Sequence, residues 1–222
     1  MSLYGAIDPT ASEKRWSACA LLGDGPSLLA LGRPHFDEEI VAFFPKTVWA
    51  VGLDAPCSLP TGLNLCCIQD RPACNCQPEN PWKGRACERD LVRMGYRLFY
   101  PTKNAFAKGW LRRGLRLKEI LEKVGMRVLE IYPHATKRRL FETLPPKASR
   151  QGRRILQENL RSLIGEIPTP GDKLLSHHEL DAILGAYTIY LHHRRLTEVV
   201  GDPDEGVVVV PRRDLKGIED SK

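Results

Sequence analysis

Nothing in the chain approaches the roughly 20 consecutive apolar residues of a membrane span, so a membrane protein is not expected. The first residues, MSLYGAIDP, carry neither a basic leader nor an apolar stretch with a cleavage site. No secretory signal is therefore expected, and the cytoplasm is the default compartment. A glycine-rich phosphate loop is also lacking, which counts against a nucleotide-handling ATPase of the actin–kinase kind. There is no internal repeat or low-complexity tract, and the seven cysteines include no CxxC pair.

What is present suits a globular enzyme or binding domain. The 222 residues are 42% hydrophobic, enough for one substantial α/β domain with a small insertion. The net charge is +6, and it is unevenly spread. Between Lys103 and Arg161 lie 16 Lys/Arg against 5 Asp/Glu, so the remainder of the chain is acidic. A basic segment of this kind either grips phosphates or forms solvated helix faces.

The pattern of apolar residues predicts strands over 3–8, 16–22 and 27–32, a helix over 36–44 and a strand over 47–54. The last of these, TVWAVGLD, is a continuous apolar run of the kind buried on both faces. Helices are expected over 84–95, 104–125, 134–142, 150–164 and 176–195, with strands over 126–132 and 206–210. Three antiparallel strands followed by alternating strands and helices make a mixed sheet flanked by helices, compatible with an RNase H-like core. The expected domain spans 1–211, with a cysteine-rich insertion at about 57–87 and a polar tail over 212–222.

Three carboxylates break apolar strands: Asp8 ends YGAID, Asp54 ends VWAVGLD and Glu130 sits inside RVLEIY. Asp8 and Asp54 each precede a turn or proline and also read as turn formers. A fourth acid, Asp181, lies near the start of the last helix, three residues after His178 and so on its face. Ser176 and Glu179 have capping-box spacing. Gly185 and Thr188 are small enough to let that helix lie close to a sheet. Asp181 is either a charge placed at the helix dipole or part of a cluster with Asp8 and Asp54. Clustered carboxylates repel unless a cation neutralises them, and Mg²⁺ or Mn²⁺ suits an all-oxygen site.

The blocks GAIDPTASEKRWSACAL, VGLDAPCSLP, RACERDLVRMG, LEIYPHATKRRL, HHELDAILGAYTIYL and GDPDEGVVVVP carry a resemblance. In this order they resemble domain-of-unknown-function family 429, described as predicted nucleases with an RNase H fold. RuvC-type resolvases are a more distant likeness. That likeness implies that Asp8, Asp54, His178 and Asp181 bind divalent metals. The family's own block implies that Glu130 is a further ligand or orients His134.

Six cysteines, Cys57, Cys66, Cys67, Cys74, Cys76 and Cys87, fall within one stretch, while Cys19 reads as a core thiol. In a cytosolic chain such a group points first to Zn²⁺ or an iron–sulfur cluster, with disulfides and free thiols as alternatives. The insertion is longer than the link the family resemblance implies. Lys103, Lys108, Arg112, Arg113 and Arg116 interleave with Phe106 and Trp110, which either stack on bases or form a buried helix stripe. Arg138, Arg139, Arg153 and Arg154 extend the candidate phosphate surface. The expected function is a divalent-metal-dependent nuclease acting on DNA or RNA. The alternative is a non-catalytic nucleic-acid binder with a structural metal in the cysteine insertion.

Overall fold

The first three apolar runs form a meander because turns separate them and each is long enough to pair throughout. In a computed structural model describing residues 2–69, 74–103, 105–141 and 144–217, β1 (Leu3–Asp8) pairs antiparallel with β2 (Ala18–Gly23). Strand β2 in turn pairs antiparallel with β3 (Ser27–Gly32). Helix α1 (Asp37–Phe43) then crosses the sheet, and β4 (Val48–Leu53) returns parallel to β1. A short β5 (Val128–Glu130) adds parallel to β4. The order is β3-β2-β1-β4-β5 with only β2 running against the rest, the RNase H-like arrangement.

Helices cover both faces, so β1 is buried along nearly its whole length. Tyr4 and Ala6 face one core, beneath α5 (Arg150–Leu163) and α6 (His177–His193). Ile7 faces the other, with Leu117 and Leu121 of α3 (Lys108–Lys123) and Ile40 of α1. The close seat of α6 depends on Gly185. A Cβ there would stand 2.4 Å from Ile131 Cδ1 and 2.8 Å from the Ala6 methyl. Thr188, one turn on, bonds Thr136 Oγ1 at 2.7 Å and donates to the Leu184 carbonyl, which satisfies a fully buried hydroxyl.

A third core lies beyond the sheet edge, where α2 (Ala86–Arg93) and α4 (Pro133–Leu140) pack against a hairpin of β6 (Thr197–Asp202) and β7 (Gly206–Pro211). The strand predicted over 206–210 is β7, but its partner β6 was not foreseen. Helix α6 ends two residues before the predicted position 195, because Arg195 takes a left-handed φ of 61° and turns the chain. The basic helix begins at Lys108 rather than 104; Asn104 itself, the predicted helix end at Glu142 and residues 218–222 of the tail lie outside the described residues. Among the described residues, no helix is long and apolar enough to cross a membrane.

Candidate metal centre and nucleic-acid surface

The register of the parallel strands brings the candidate acids together. Ile7 pairs with Leu53, and the Asp54 N–H donates to the Ile7 carbonyl at 2.9 Å. Asp8 and Asp54 therefore leave the carboxyl ends of neighbouring strands side by side, where open α/β sheets place ligands. Helix α6 lies across these ends and adds Asp181 from its second turn. One carboxylate oxygen from each of Asp8, Asp54 and Asp181 lies within 4.8 Å of the others. Ser176 caps the helix, accepting from the Glu179 N–H while Glu179 accepts from Ser176, so Glu179 is structural and Asp181 is left to the cluster.

Burial, and after it the charge of Asp181, holds the Asp8 carboxyl well above its usual range. Asp54 is raised by burial and then by Asp8 and Asp181. The cluster thus carries more negative charge than its surroundings neutralise. One Asp181 oxygen pairs with the Lys147 ammonium, while Oδ1 is buried without a hydrogen-bond partner among the described residues. A buried orphan carboxylate oxygen on a residue that converges with two other carboxylates fits an oxygen-binding cation such as Mg²⁺ or Mn²⁺.

His178 Nδ1 and Asp8 Oδ2 share a hydrogen bond of 2.6 Å, which an ionised Asp8 accepts from Nδ1–H. Burial lowers the His178 pKa, and the neighbouring Asp181 opposes that effect. The ring packs edge-on to Trp16 with centroids 5.7 Å apart, and the Arg33 guanidinium lies over the indole at 4.8 Å. Lys147 was not anticipated from the sequence. It belongs to the loop TLPPKAS, where a lone lysine gives no periodic or motif signal. Burial opposes its charge, but Asp181, with Asp54 and Asp8 behind it, raises its pKa.

Glu130 goes elsewhere, although it ends the strand beside Asp54. Arg85, with no exposed surface, donates to both Glu130 oxygens at 2.8 and 2.5 Å and also clasps Glu88. The Cys57 N–H donates to Glu130 Oε2 at 2.7 Å. Both oxygens are thereby used, so Glu130 neither joins the aspartates nor reaches His134; it anchors the segment after β4.

The basic candidates divide in the same way. Arg113 is buried against Asp37, the Thr10 hydroxyl and the His35 carbonyl. Arg139 is buried against Tyr96, the Pro211 carbonyl and Glu198. Neither offers its guanidinium to a phosphate. Arg116 pairs with Asp37, and Lys103 donates to the carbonyls of Cys74 and Cys76. Arg153 bonds the Ala148 carbonyl, Lys108 and Arg112 are partly buried on α3, and Arg154 is exposed on α5. Arg138 lies over the Tyr96 ring at 5.1 Å and opens into a groove of about 470 Å³ with Arg97, His134, Lys147 and Asp54. Burial, then Lys137 and Lys147, pushes His134 down to about 4, so it is neutral at neutral pH.

Four of the six clustered cysteines converge. Cys66 and Cys76 have sulfurs 3.6 Å apart, as do Cys67 and Cys74, and all four lie within 4.8 Å of one another. A disulfide would bring two sulfurs to about 2.05 Å, so these are not disulfides. Thiolates about 2.3 Å from one tetrahedral ion stand roughly 3.8 Å apart, which this group matches. Cys74 is brought down to about 7: burial opposes its ionisation, but hydrogen bonds from its neighbours and the Lys103 charge outweigh it. Hydrogen bonding to Cys76, then burial, pushes Cys66 up to about 12. Cys57 and Cys87 do not join this group: Cys57 lies beside Glu130, and Cys87 is buried in the third core.

No family model matches the chain, and no curated protein sequence matches it. The resemblance to domain-of-unknown-function family 429 therefore stands on its motif blocks alone. Among solved structures the chain is similar to Thermus thermophilus RuvC in complex with Holliday junction substrate, at 14% identity and a TM-score of 0.41, covering 88% of this chain and 96% of that one. It is also similar to a second Thermus thermophilus RuvC structure, at 13% identity and a TM-score of 0.42, covering 87% and 96%. A likeness this distant adds nothing to the reading of the site, and the strand order and register above carry the fold.

Proposed function

We propose that the protein is a divalent-metal-dependent nuclease hydrolysing phosphodiester bonds in nucleic acid. The observation that carries this reading is the convergence of Asp8, Asp54 and Asp181, with one buried Asp181 oxygen left without a hydrogen-bond partner among the described residues. These three carboxylates would hold the cation. When bound, such an ion supplies Lewis-acid polarisation of a phosphoryl oxygen and activation of water.

The chain's own groups supply the rest. The Asp8 carboxylate fixes the His178 tautomer through Nδ1–H, which leaves Nε2 as a lone pair able to take a proton from water. Lys147 balances charge beside Asp181. Arg97 and Arg138 line the groove that ends at Asp54 and would position phosphates there. The cysteine group, we further propose, holds a structural zinc ion that closes the insertion through Cys66, Cys67, Cys74 and Cys76. Lys103 ties the same loop down through the Cys74 and Cys76 carbonyls.

The test is cleavage of end-labelled DNA and RNA with Mn²⁺ or Mg²⁺, compared with EDTA. The wild type is expected to cleave only with metal, and Asp8→Asn to lose at least 100-fold in rate, on the order seen when a group central to catalysis is removed, while still binding the labelled strand. Binding without cleavage in the wild type, unchanged in Asp8→Asn, would overturn the nuclease reading in favour of a non-catalytic binder.

A further inference from the structure

Beside Asp54 lies a second cavity, of about 340 Å³, whose character is opposite to the cationic groove. Its walls are mostly apolar and aromatic: Leu91, Leu98, Phe99, Trp110, Ile131 and Tyr132. The polar residues Glu88 and Glu130 also border it, but both are engaged by Arg85. The two cavities share Asp54, Arg97 and Tyr132, so they adjoin at the Asp54 side of the carboxylate cluster.

The aromatic wall is unusual for a surface with no partner. Phe99 is 56% exposed and Phe106 84% exposed, and their rings meet edge to face at 4.9 Å. Phe99 also approaches Trp110 edge to face at 6.4 Å. Trp110 is only half-buried, so the helix stripe predicted from the sequence is open at this end. A ligand filling both spaces must be flat and apolar at one end and anionic at the other. A nucleotide has that form, with a base for the aromatic wall and phosphates for Arg97, Arg138 and Lys147.

We infer that this cavity is a base-binding subsite: it takes the unstacked base of a nucleotide next to the phosphodiester at Asp54, and so directs the protein to unpaired strands. This inference rests on the nuclease reading of the neighbouring carboxylates. A base inside a duplex cannot enter, because its faces are covered by its neighbours and its edge is paired. The free groups of the wall offer ring faces rather than hydrogen-bond donors and acceptors, so recognition depends on stacking and discriminates weakly among the bases.

The test is fluorescence of 2-aminopurine placed at successive positions of a short single-stranded DNA, titrated with the full-length protein in EDTA. Quenching is expected at an internal position, and a fully paired duplex of the same sequence is expected to compete on the order of tenfold less well. Phe99→Ala, at an exposed rim position that does not threaten folding, is expected to weaken the quench on the order of tenfold. Trp110→Ala is expected to do the same, provided its circular dichroism matches the wild type. Asp8→Asn is expected to retain the quench while losing metal-dependent cleavage. Metal-dependent cleavage without any quench, or a quench unchanged in Phe99→Ala, would overturn the subsite and leave the nuclease reading standing. A quench in a wild type that cleaves nothing would support the subsite and remove the nuclease reading.

Discussion

At the scale of single residues, the cluster of Asp8, Asp54 and Asp181 stores unfavourable charge. The first two carboxyls are raised above the ordinary 3.8, by burial first and by neighbouring carboxylates second. The folded protein therefore holds protons that the unfolded chain has already released. Above 3.8, and until the raised values are passed, the native state binds more protons than the unfolded one, so stability falls as pH rises through that window and then levels off. Histidines lowered by burial, His134 and His178 among them, pull the total the other way below about 6.5. The aspartate contribution is therefore read as the stability of the wild type minus that of Asp8→Asn, by thermal unfolding in EDTA across pH 4 to 8: this difference should fall as pH rises, with Asp8→Asn the more stable protein at pH 8. Mn²⁺ should restore the wild type at pH 8. A difference between wild type and Asp8→Asn that stays flat or grows in favour of the wild type would contradict this electrostatic reading. Arg85 shows the opposite solution to buried acid: a permanent cation already satisfies Glu88 and Glu130, so those two need no metal.

At the scale of elements, α6 is the part that turns two strand ends into a site. Its approach to the sheet is set by Gly185, where any side chain would strike Ile131 and Ala6. Gly185→Val should cost about 1–3 kcal/mol by overpacking, read as a lower urea midpoint, and should weaken metal binding because Asp181 moves away from the strands. A substitution that changes neither would show that the helix seat does not position the acid. Much of this was legible in the sequence. The apolar run ending in Asp54, the capping box and the small residues at 185 and 188 each leave a periodic or motif signal. Strand β6 left a weaker one, since TEVVGD mixes charged and apolar residues directly after a long helix and earns its place only by pairing with β7. Lys147 left none, because its role depends on Asp181 far along the chain; Arg85 has Glu88 three residues on, but its pairing with Glu130 leaves no local signal. The same limit applies to Arg113 and Arg139, whose burial no local charge pattern reveals.

At the scale of the molecule, three cores divide two tasks: two sandwich the main sheet, and the third holds the hairpin and α2 beside the aromatic cavity. With the proposed zinc bound, the cysteine loop would fasten the long connection between β4 and α2, a stretch whose described residues contain little regular structure beyond one short turn of helix over 65–68. Denaturing the purified protein in the presence of a zinc indicator should release a single equivalent of zinc per chain. Cys66→Ser should release markedly less and melt at lower temperature, whereas Cys57→Ser should release the full amount. Equal zinc in both variants would dismiss the assignment of the four cysteines.

The carboxylate centre is tested most directly by calorimetric titration of Mn²⁺ into the wild type and into Asp8→Asn/Asp181→Asn, with the fold of both confirmed by circular dichroism. Saturable binding is expected in the wild type and none in the double variant. Equal binding in the two proteins, or none in either, would contradict a shared metal site and leave Asp181 as the partner of Lys147 alone.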